Sequence, residues 1–333
     1  MNERNETIGP VAVIVVLGIV AALVMAAPRP AAPIQAEPPT VTHFAPRPSP
    51  LAPTSTATPL PPSPTPLAPG PSPIAPSPTP TQVAALPAEQ WREWPVIPSI
   101  SANALAIYQR GLMLGNNPRA FSKVGDCSGT PNWFLGDFDR GPRFYNLGDY
   151  ARLQTAIDYY AGSFARESLA AHPGFQSSSL FDTLWVNPQL CAKGDGPLAC
   201  EYKAQKPSLA FIMLGTNDVY HLDEFEPALR RIIEYSIEQG VTPVLSTKAD
   251  NVEKDDAVNA TIARLAAEYD VPLWNYWRLA QTLPDFGLQE DGAHLNWAPN
   301  KFNEPQNMKR GWPNRNLTAL QVLEAMMEAV SGK

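Results

Sequence analysis

The sequence predicts an α/β fold in which a parallel sheet of about five strands carries helices on both faces. Short apolar runs alternate with amphipathic helical segments along residues 89–333, and a parallel sheet needs this alternation because each strand returns through a crossover. Three of the apolar runs also end in polar, glycine-containing turns. In an open α/β sheet such turns border the ligand crevice, so the sequence predicts a site there.

The run at 209–214 is the clearest strand. It is continuously apolar, as expected for a strand buried on both faces, and it breaks at Gly215 into Thr216, Asn217 and Asp218. Gly, Asn and Asp are also ordinary turn residues, so this stretch alone fits either a plain turn or a site.

The other elements are predicted in chain order. Further strands are expected at 120–124, 168–171, 241–247 and 271–277. Helices are expected at 101–114, 150–161, from Ser178 onward, and at 223–239, 255–269 and 316–330. The candidate N-cap residues are Ser99 or Ser101, Asp149 and Asn316.

Residues 1–27 are predicted to be a membrane segment. No charged residue occurs from Ile8 to Ala27, and about 20 apolar residues match the ~30 Å hydrocarbon core of a bilayer. The segment is either a signal anchor or a signal peptide cleaved near residues 24–27, which would release a secreted protein. The anchor is favoured because the apolar run is long for a signal peptide and Arg4 lies between glutamates.

Residues 28–88 are predicted to be a disordered stalk. Pro, Ala, Ser and Thr dominate this segment, and such a composition favours extended polyproline II over a packed core. The formal net charge of −7 and the lack of Lys/Arg clusters argue against a nucleic-acid partner. The acids and histidines lack metal-ligand spacing, so neither a metal nor another cofactor is expected. The oligomeric state is not predicted.

The cysteines suggest the compartment. Cys191 and Cys200 bracket a short loop, and a disulfide between them is predicted. Disulfides are typical of exported proteins, so we expect the 89–333 domain outside the cytoplasm and the short N-terminus inside. Pairing of Cys127 with Cys191 or with Cys200 stays open from sequence alone.

Four short blocks carry a family resemblance. They are GDC at 125–127, Gly174, GTND at 215–218 and DGAH at 291–294. In this order they resemble the sequence blocks of the SGNH or GDSL hydrolase superfamily, over roughly residues 115–300. The resemblance implies a flavodoxin-like three-layer α/β/α sandwich and an esterase or lipase activity.

The resemblance also implies residue roles. Ester cleavage needs a nucleophile, a base, an acid that orients the base, and donors for the oxyanion. His294 is the expected base and Asp291 the orienting acid, while Asn217 and Gly174 are the expected oxyanion donors. The expected supporting residues are Asp126, Gly215 and Asp218.

The nucleophile position departs from the family pattern. The family has serine after the aspartate, whereas this chain has Cys127 there and Ser128 next. Three outcomes follow: Cys127 attacks as a thiol activated by His294, Ser128 attacks instead, or neither does. In the third case the domain is a catalytically degenerate binding or scaffold module on its stalk.

The substrate is only broadly indicated. A stalked, exported hydrolase of this type would act on small ester molecules, acylated surface glycans or lipid esters. Aromatic residues near the predicted crevice suit sugar rings or acyl chains. These residues are Trp133, Phe134, Trp185, Trp277 and Trp297.

Overall fold

The computed structural model describes residues 87–332, in which strands and helices alternate as predicted. The strands are β1 (Asn117–Gly125), β2 (Tyr145–Asn146), β3 (Pro207–Met213), β4 (Thr242–Ser246), β5 (Leu273–Trp274) and β6 (Asn300–Lys301). The α-helices are α1 (Ala102–Met113), α2 (Gln154–Tyr159), α3 (Pro197–Gln205), α4 (Leu222–Glu238), α5 (Ala257–Glu268), α6 (Tyr276–Ala280) and α7 (Gly311–Ser331). The predicted strand at 271–277 is shorter than expected, because α6 begins directly after β5.

Four strands form one parallel sheet in the order β1-β3-β4-β5. Phe121 of β1 lies opposite Leu209 of β3, which lies opposite Thr242 of β4, and Leu245 lies opposite Leu273 of β5. A separate parallel pair joins β2 and β6. Because the main strands are parallel, their carboxyl ends share one edge, where the polar turns after β1, β3 and β4 meet.

Helices cover both faces of this sheet. Every residue of β3 is buried, and its side chains alternate between two hydrophobic clusters. Leu209, Phe211 and Met213 pack in a cluster that contains residues of α2 and α7. Ala210 and Ile212 pack in the other cluster, with residues of α3, α4 and α5. The predicted parallel α/β arrangement with helices on both faces is therefore confirmed.

The predicted strand at 168–171 is reduced to one bridge, which pairs this segment with Gly125 of β1. The Ser168 hydroxyl donates to the Lys123 carbonyl (2.6 Å) and accepts from the Ala170 amide (3.1 Å). The Ser168 hydroxyl therefore occupies the Lys123 carbonyl of β1, which a backbone amide would have bound if the strand were longer. If the five strands of this sheet are renumbered along the chain, with the segment at 168–171 as the second strand, their order across the sheet is 2-1-3-4-5. This is the order of flavodoxin-like sheets.

The predicted helices at 101–114, 223–239 and 255–269 correspond to α1, α4 and α5. Ser101 caps α1, since its hydroxyl accepts the Ala104 amide at 3.1 Å. The helix predicted at 150–161 is wrong in part: a 3-10 helix at Gly148–Leu153 precedes the short α2. Asp149 is therefore not an N-cap, because it lies inside the first turn.

Two further helix starts differ from the prediction. The segment after Ser178 forms two short 3-10 helices, Ser177–Phe181 and Thr183–Trp185, and α3 begins later. Asn316 is not an N-cap, because α7 begins earlier and buries it. Its side chain accepts the Leu135 amide (2.9 Å) and donates to the Trp133 carbonyl (3.1 Å), so it holds the loop after β1 against α7.

The predicted membrane segment, 1–27, lies outside the described residues, and so does nearly all of the predicted stalk, 28–88. Within 87–332, no helix has both the length and the apolar character needed to cross a membrane.

The predicted disulfide between Cys191 and Cys200 is present. It ties the loop that precedes α3 to the helix itself, since Cys200 belongs to α3. Cys127 is free.

Gly215 ends the run of β3 and lets the chain turn. Its φ of +121° lies in a region that residues with a Cβ rarely adopt. A Cβ at this position would also lie 2.4 Å from Cγ1 of Val258 in α5. Glycine is therefore required both by the turn and by the close packing of α5.

Gly215→Ala should lower the free energy of unfolding by ~1–3 kcal/mol, because it adds both backbone strain and a clash. Urea denaturation of the full-length chain in detergent measures this loss. Gly162→Ala is the matched control, since Gly162 has a φ of +91° but no atom within 4 Å of a Cβ. Equal losses in the two variants would show that the contact with Val258 contributes nothing.

Candidate active site

A cleft of about 330 Å³ lies at the carboxyl edge of the sheet. The turns after β1, β3 and β4 line it, together with the loop at 291–295 and residues of α7. The predicted site residues among its lining are Asp126, Cys127, Ser128, Asn217, Asp291 and His294. The structure thus brings together residues that are separated by up to two-thirds of the described chain.

Asp291 and His294 form the best-defined interaction of the cleft. Oδ2 of Asp291 lies 2.7 Å from Nδ1 of His294, and Oδ1 accepts the amides of Ala293 and His294, each at 3.0 Å. We assign the proton of this bond to Nδ1, because a carboxylate can only accept. Nε2 then carries a free lone pair and can act as a base.

The charge of Asp291 is stable. The amides of His294 and Ala293, followed by the His294 side chain, lower the pKa of Asp291 to about 2. The carboxylate is therefore ionised at any pH well above 2. It can hold the imidazole in one orientation and stabilise the imidazolium that forms when Nε2 takes a proton.

The turn after β1 carries both candidate nucleophiles. Oδ1 of Asp126 accepts the Ser128 amide at 2.8 Å and starts a short 3-10 helix, Cys127–Gly129. Cys127 and Ser128 both line the cleft. Within residues 87–332, neither side chain hydrogen-bonds to His294.

Cys127 is half-buried, and its thiol is protonated at neutral pH. Burial, followed by the carboxylate of Asp126, raises the pKa of Cys127 to about 11. Only about one thiol in ten thousand is ionised at pH 7. The raised pKa and the missing hydrogen bond to His294 argue against a resting thiolate–imidazolium pair, so attack by Cys127 needs His294 to take the proton during the reaction.

The two predicted oxyanion donors lie in different places. Asn217 lines the cleft, and its Nδ2 donates one N–H to the Phe175 carbonyl at 3.0 Å, which leaves the second N–H for a ligand. Gly174 lies in a neighbouring depression that Gln176 and Trp185 also line. Of the two expected donors, Asn217 therefore lines the cleft that contains Cys127, and Gly174 does not.

The predicted supporting residues are buried in the turns. Asp218 accepts the Ser177 amide through Oδ1 at 2.8 Å, which joins the turn after β3 to the segment after Gly174. Burial raises the pKa of Asp218, and it does not line the cleft. The pKa of Asp126 is raised for the same reason, although Asp126 does border the cleft.

A buried charge cluster was not predicted. Nζ of Lys248 lies 2.6 Å from Asp250 and 2.6 Å from Glu253, and Asp250 also accepts the Thr216 hydroxyl at 2.8 Å. Lys248, Asp250 and Thr216 line the cleft. The signal was present in the sequence, since a polar turn at 247–250 follows β4 as polar turns follow β1 and β3.

α7 contributes Trp312 and Arg315 to the cleft, and no sequence signal marked either residue. The aromatic residues expected at the rim do not line this cleft. Phe134 is in the core, Trp133 stacks on Trp312, and Trp185 lies in the neighbouring depression. Trp277 packs edge-to-face on Trp91, and Trp297 is exposed.

Comparison with known proteins gives only distant structural likenesses. No protein-family model matches the chain, and no curated protein matches it either. A GDSL-like lipase from Bacteroides thetaiotaomicron has 15% identity and a TM-score of 0.39, over 67% of this chain and 99% of that chain. A catalytic mutant of Axe2, an acetylxylan esterase from Geobacillus stearothermophilus, has 16% identity and a TM-score of 0.40, over 61% and 93%. The esterase EstA from Pseudoalteromonas sp. has 12% identity and a TM-score of 0.39, over 63% and 99%.

The raised pKa of Cys127 predicts slow alkylation. In the oxidised, folded full-length chain in detergent, the iodoacetamide reaction should accelerate about tenfold per pH unit from about pH 7 to about pH 9.5, without a plateau. Mass spectrometry of the Cys127 peptide measures the rate. The urea-unfolded chain is the control and should level off above about pH 8.5. A plateau below pH 8 in the folded chain would mean that Cys127 is a thiolate.

Proposed function

We propose that this protein is an ester hydrolase in which Cys127, His294 and Asp291 act as nucleophile, base and orienting acid. The observation that carries this proposal is the 2.7 Å Asp291–His294 bond in the same cleft as Cys127 and Asn217. The bond leaves Nε2 as the free base of the cleft. This is the arrangement that nucleophilic acyl transfer requires.

The first half-reaction forms a thioester. His294 takes the Cys127 proton at Nε2 while Sγ attacks the ester carbonyl carbon, and the carbonyl oxygen becomes an oxyanion. The free N–H of Asn217 donates to that oxyanion. The tetrahedral intermediate then collapses, the C–O bond to the alcohol breaks, and His294 returns the proton to the leaving alcohol.

The second half-reaction releases the acid. His294 takes a proton from water while the hydroxide attacks the thioester carbonyl; the C–S bond then breaks, and His294 returns the proton to the departing sulfur. The products are a carboxylic acid and the free Cys127 thiol. Asp291 stabilises the imidazolium in both halves, because its carboxylate stays ionised.

A second candidate is a binding domain with the same fold and no turnover. The observation that favours it is the state of the thiol: Cys127 has a pKa of about 11, and its Sγ makes no hydrogen bond to His294 within the described residues. A ligand would then occupy the cleft without acylation. Ser128 as the nucleophile is the remaining variant of the esterase proposal.

We further propose that the domain works outside the cytoplasm, on a membrane anchor and stalk, with acylated surface glycans or lipid esters as substrates. The Cys191–Cys200 disulfide supports an oxidising compartment. The apolar N-terminal run and the proline-rich segment of the sequence support the anchor and the stalk.

Hydrolysis of p-nitrophenyl acetate and butyrate tests the esterase proposal. In the full-length chain, Cys127→Ala and His294→Ala should each lower kcat/KM by about 10²- to 10⁴-fold. Asn217→Ala should lower kcat by about 10²-fold or more, because it removes a donor to the oxyanion.

The matched control is His221→Ala, since His221 is an exposed histidine that does not line the cleft. It should keep the wild-type rate. If Ser128→Ala abolishes hydrolysis and Cys127→Ala does not, the serine is the nucleophile. Equal background rates in all these proteins would refute hydrolysis of simple esters and favour the binding domain.

A further inference from the structure

Arg315 has an unusual position for an arginine. It lies in α7, is only 4% exposed, and borders the cleft that contains Cys127. Its guanidinium carbon lies 4.7 Å from the ring centroid of Trp274 and 4.7 Å from that of Tyr276. Aromatic rings thus support the guanidinium group, and its polar contacts must be made in its own plane.

Those in-plane contacts are almost all missing. Among the described residues, the guanidinium makes one hydrogen bond, from Nη2 to the Ser246 hydroxyl at a long 3.3 Å. Nε is buried without a partner, and Nη1 has no acceptor in the described part of the chain. Arginine is almost never fully buried unless it is paired, so this group lacks the acceptor that would justify its burial.

The neighbouring acids do not supply that acceptor. Asp126 uses Oδ1 for the Ser128 amide, and Asp250 binds Lys248 and Thr216. The other charges lining the cleft are also engaged, since Asp291 holds His294. Asp126 and Asp250 are near enough to act on Arg315 electrostatically, but neither hydrogen-bonds to it.

We propose that Arg315 binds a carboxylate of the ligand. A planar carboxylate pairs edge to edge with a guanidinium through parallel N–H···O bonds, and Nη1 has no other acceptor for such a bond among residues 87–332. Because Arg315 and Cys127 line one cleft of about 330 Å³, the carboxylate would sit in the same cavity as the reacting ester. Taken with the proposed function, the substrates are esters that carry a carboxylate on the acyl or the alcohol side.

Isothermal titration of succinate into the full-length chain in detergent tests the binding without any turnover. Wild type should bind succinate at least about tenfold more tightly than neutral succinamide, which cannot form the charge-assisted pair. Arg315→Lys and Arg315→Gln should each weaken succinate binding about tenfold or more, because lysine keeps the charge but not the planar fork. The matched control is Arg310→Gln, because Arg310 is an exposed arginine next to the start of α7. This variant should bind succinate as tightly as wild type.

The titration can overturn the proposal in two ways. Equal wild-type affinity for succinate and succinamide would do so even if both Arg315 variants failed to fold. Unchanged succinate affinity in a variant whose near-UV circular dichroism matches wild type would do so as well.

Kinetics then separate this proposal from the esterase proposal. Arg315→Lys should raise KM for mono-p-nitrophenyl succinate about tenfold more than it raises KM for p-nitrophenyl butyrate, which carries no carboxylate. Mono-p-nitrophenyl succinate places its carboxylate on the acyl side, and inhibition of p-nitrophenyl acetate hydrolysis by free succinate tests the site whichever side of the ester carries the carboxylate. If wild type hydrolyses no ester, the esterase proposal fails, and the succinate titration alone decides the role of Arg315.

Discussion

Burial of β3 on both faces is the constraint on which the rest of the structure depends. Its side chains fill the core on both sides of the sheet, so its backbone must be paired on both edges, by β1 and by β4. Parallel pairing then fixes the carboxyl ends of all three strands at one edge. The turn at Gly215 follows from the same packing, because α5 approaches too closely for any side chain at that position.

The cleft combines groups whose electrostatic demands conflict. Burial of Cys127, followed by the charge of Asp126 beside it, disfavours a thiolate, whereas the Asp291–His294 pair provides a base held by an ionised carboxylate. Such a site keeps the thiol neutral at rest and has to transfer its proton during attack. Arg315 adds a cation without a hydrogen-bonded counter-ion, and a bound carboxylate would satisfy it.

The sequence predicted what depends on local pattern. The buried run of β3, the amphipathic α4 and the order of the four blocks were enough to predict the parallel α/β fold and six of the residues that line the cleft. It failed where a single side chain replaces a backbone contact, as Ser168 does at the edge of β1, and where a polar residue lies inside a helix, as Asn316 does. Arg315 could not be predicted for a related reason. The sequence of a helix does not indicate which of its arginines tertiary packing buries beside a cleft.

The central claim is that this cleft forms a covalent acyl intermediate with His294 as the base. The most direct measurement is tandem mass spectrometry of the full-length chain quenched in acid during turnover of p-nitrophenyl acetate. The account predicts an acetyl group on Cys127, released by neutral hydroxylamine as a thioester is, and absent from His294→Ala. The absence of any acetyl group on the peptide that contains Cys127 and Ser128, while wild type turns over the ester, would contradict it.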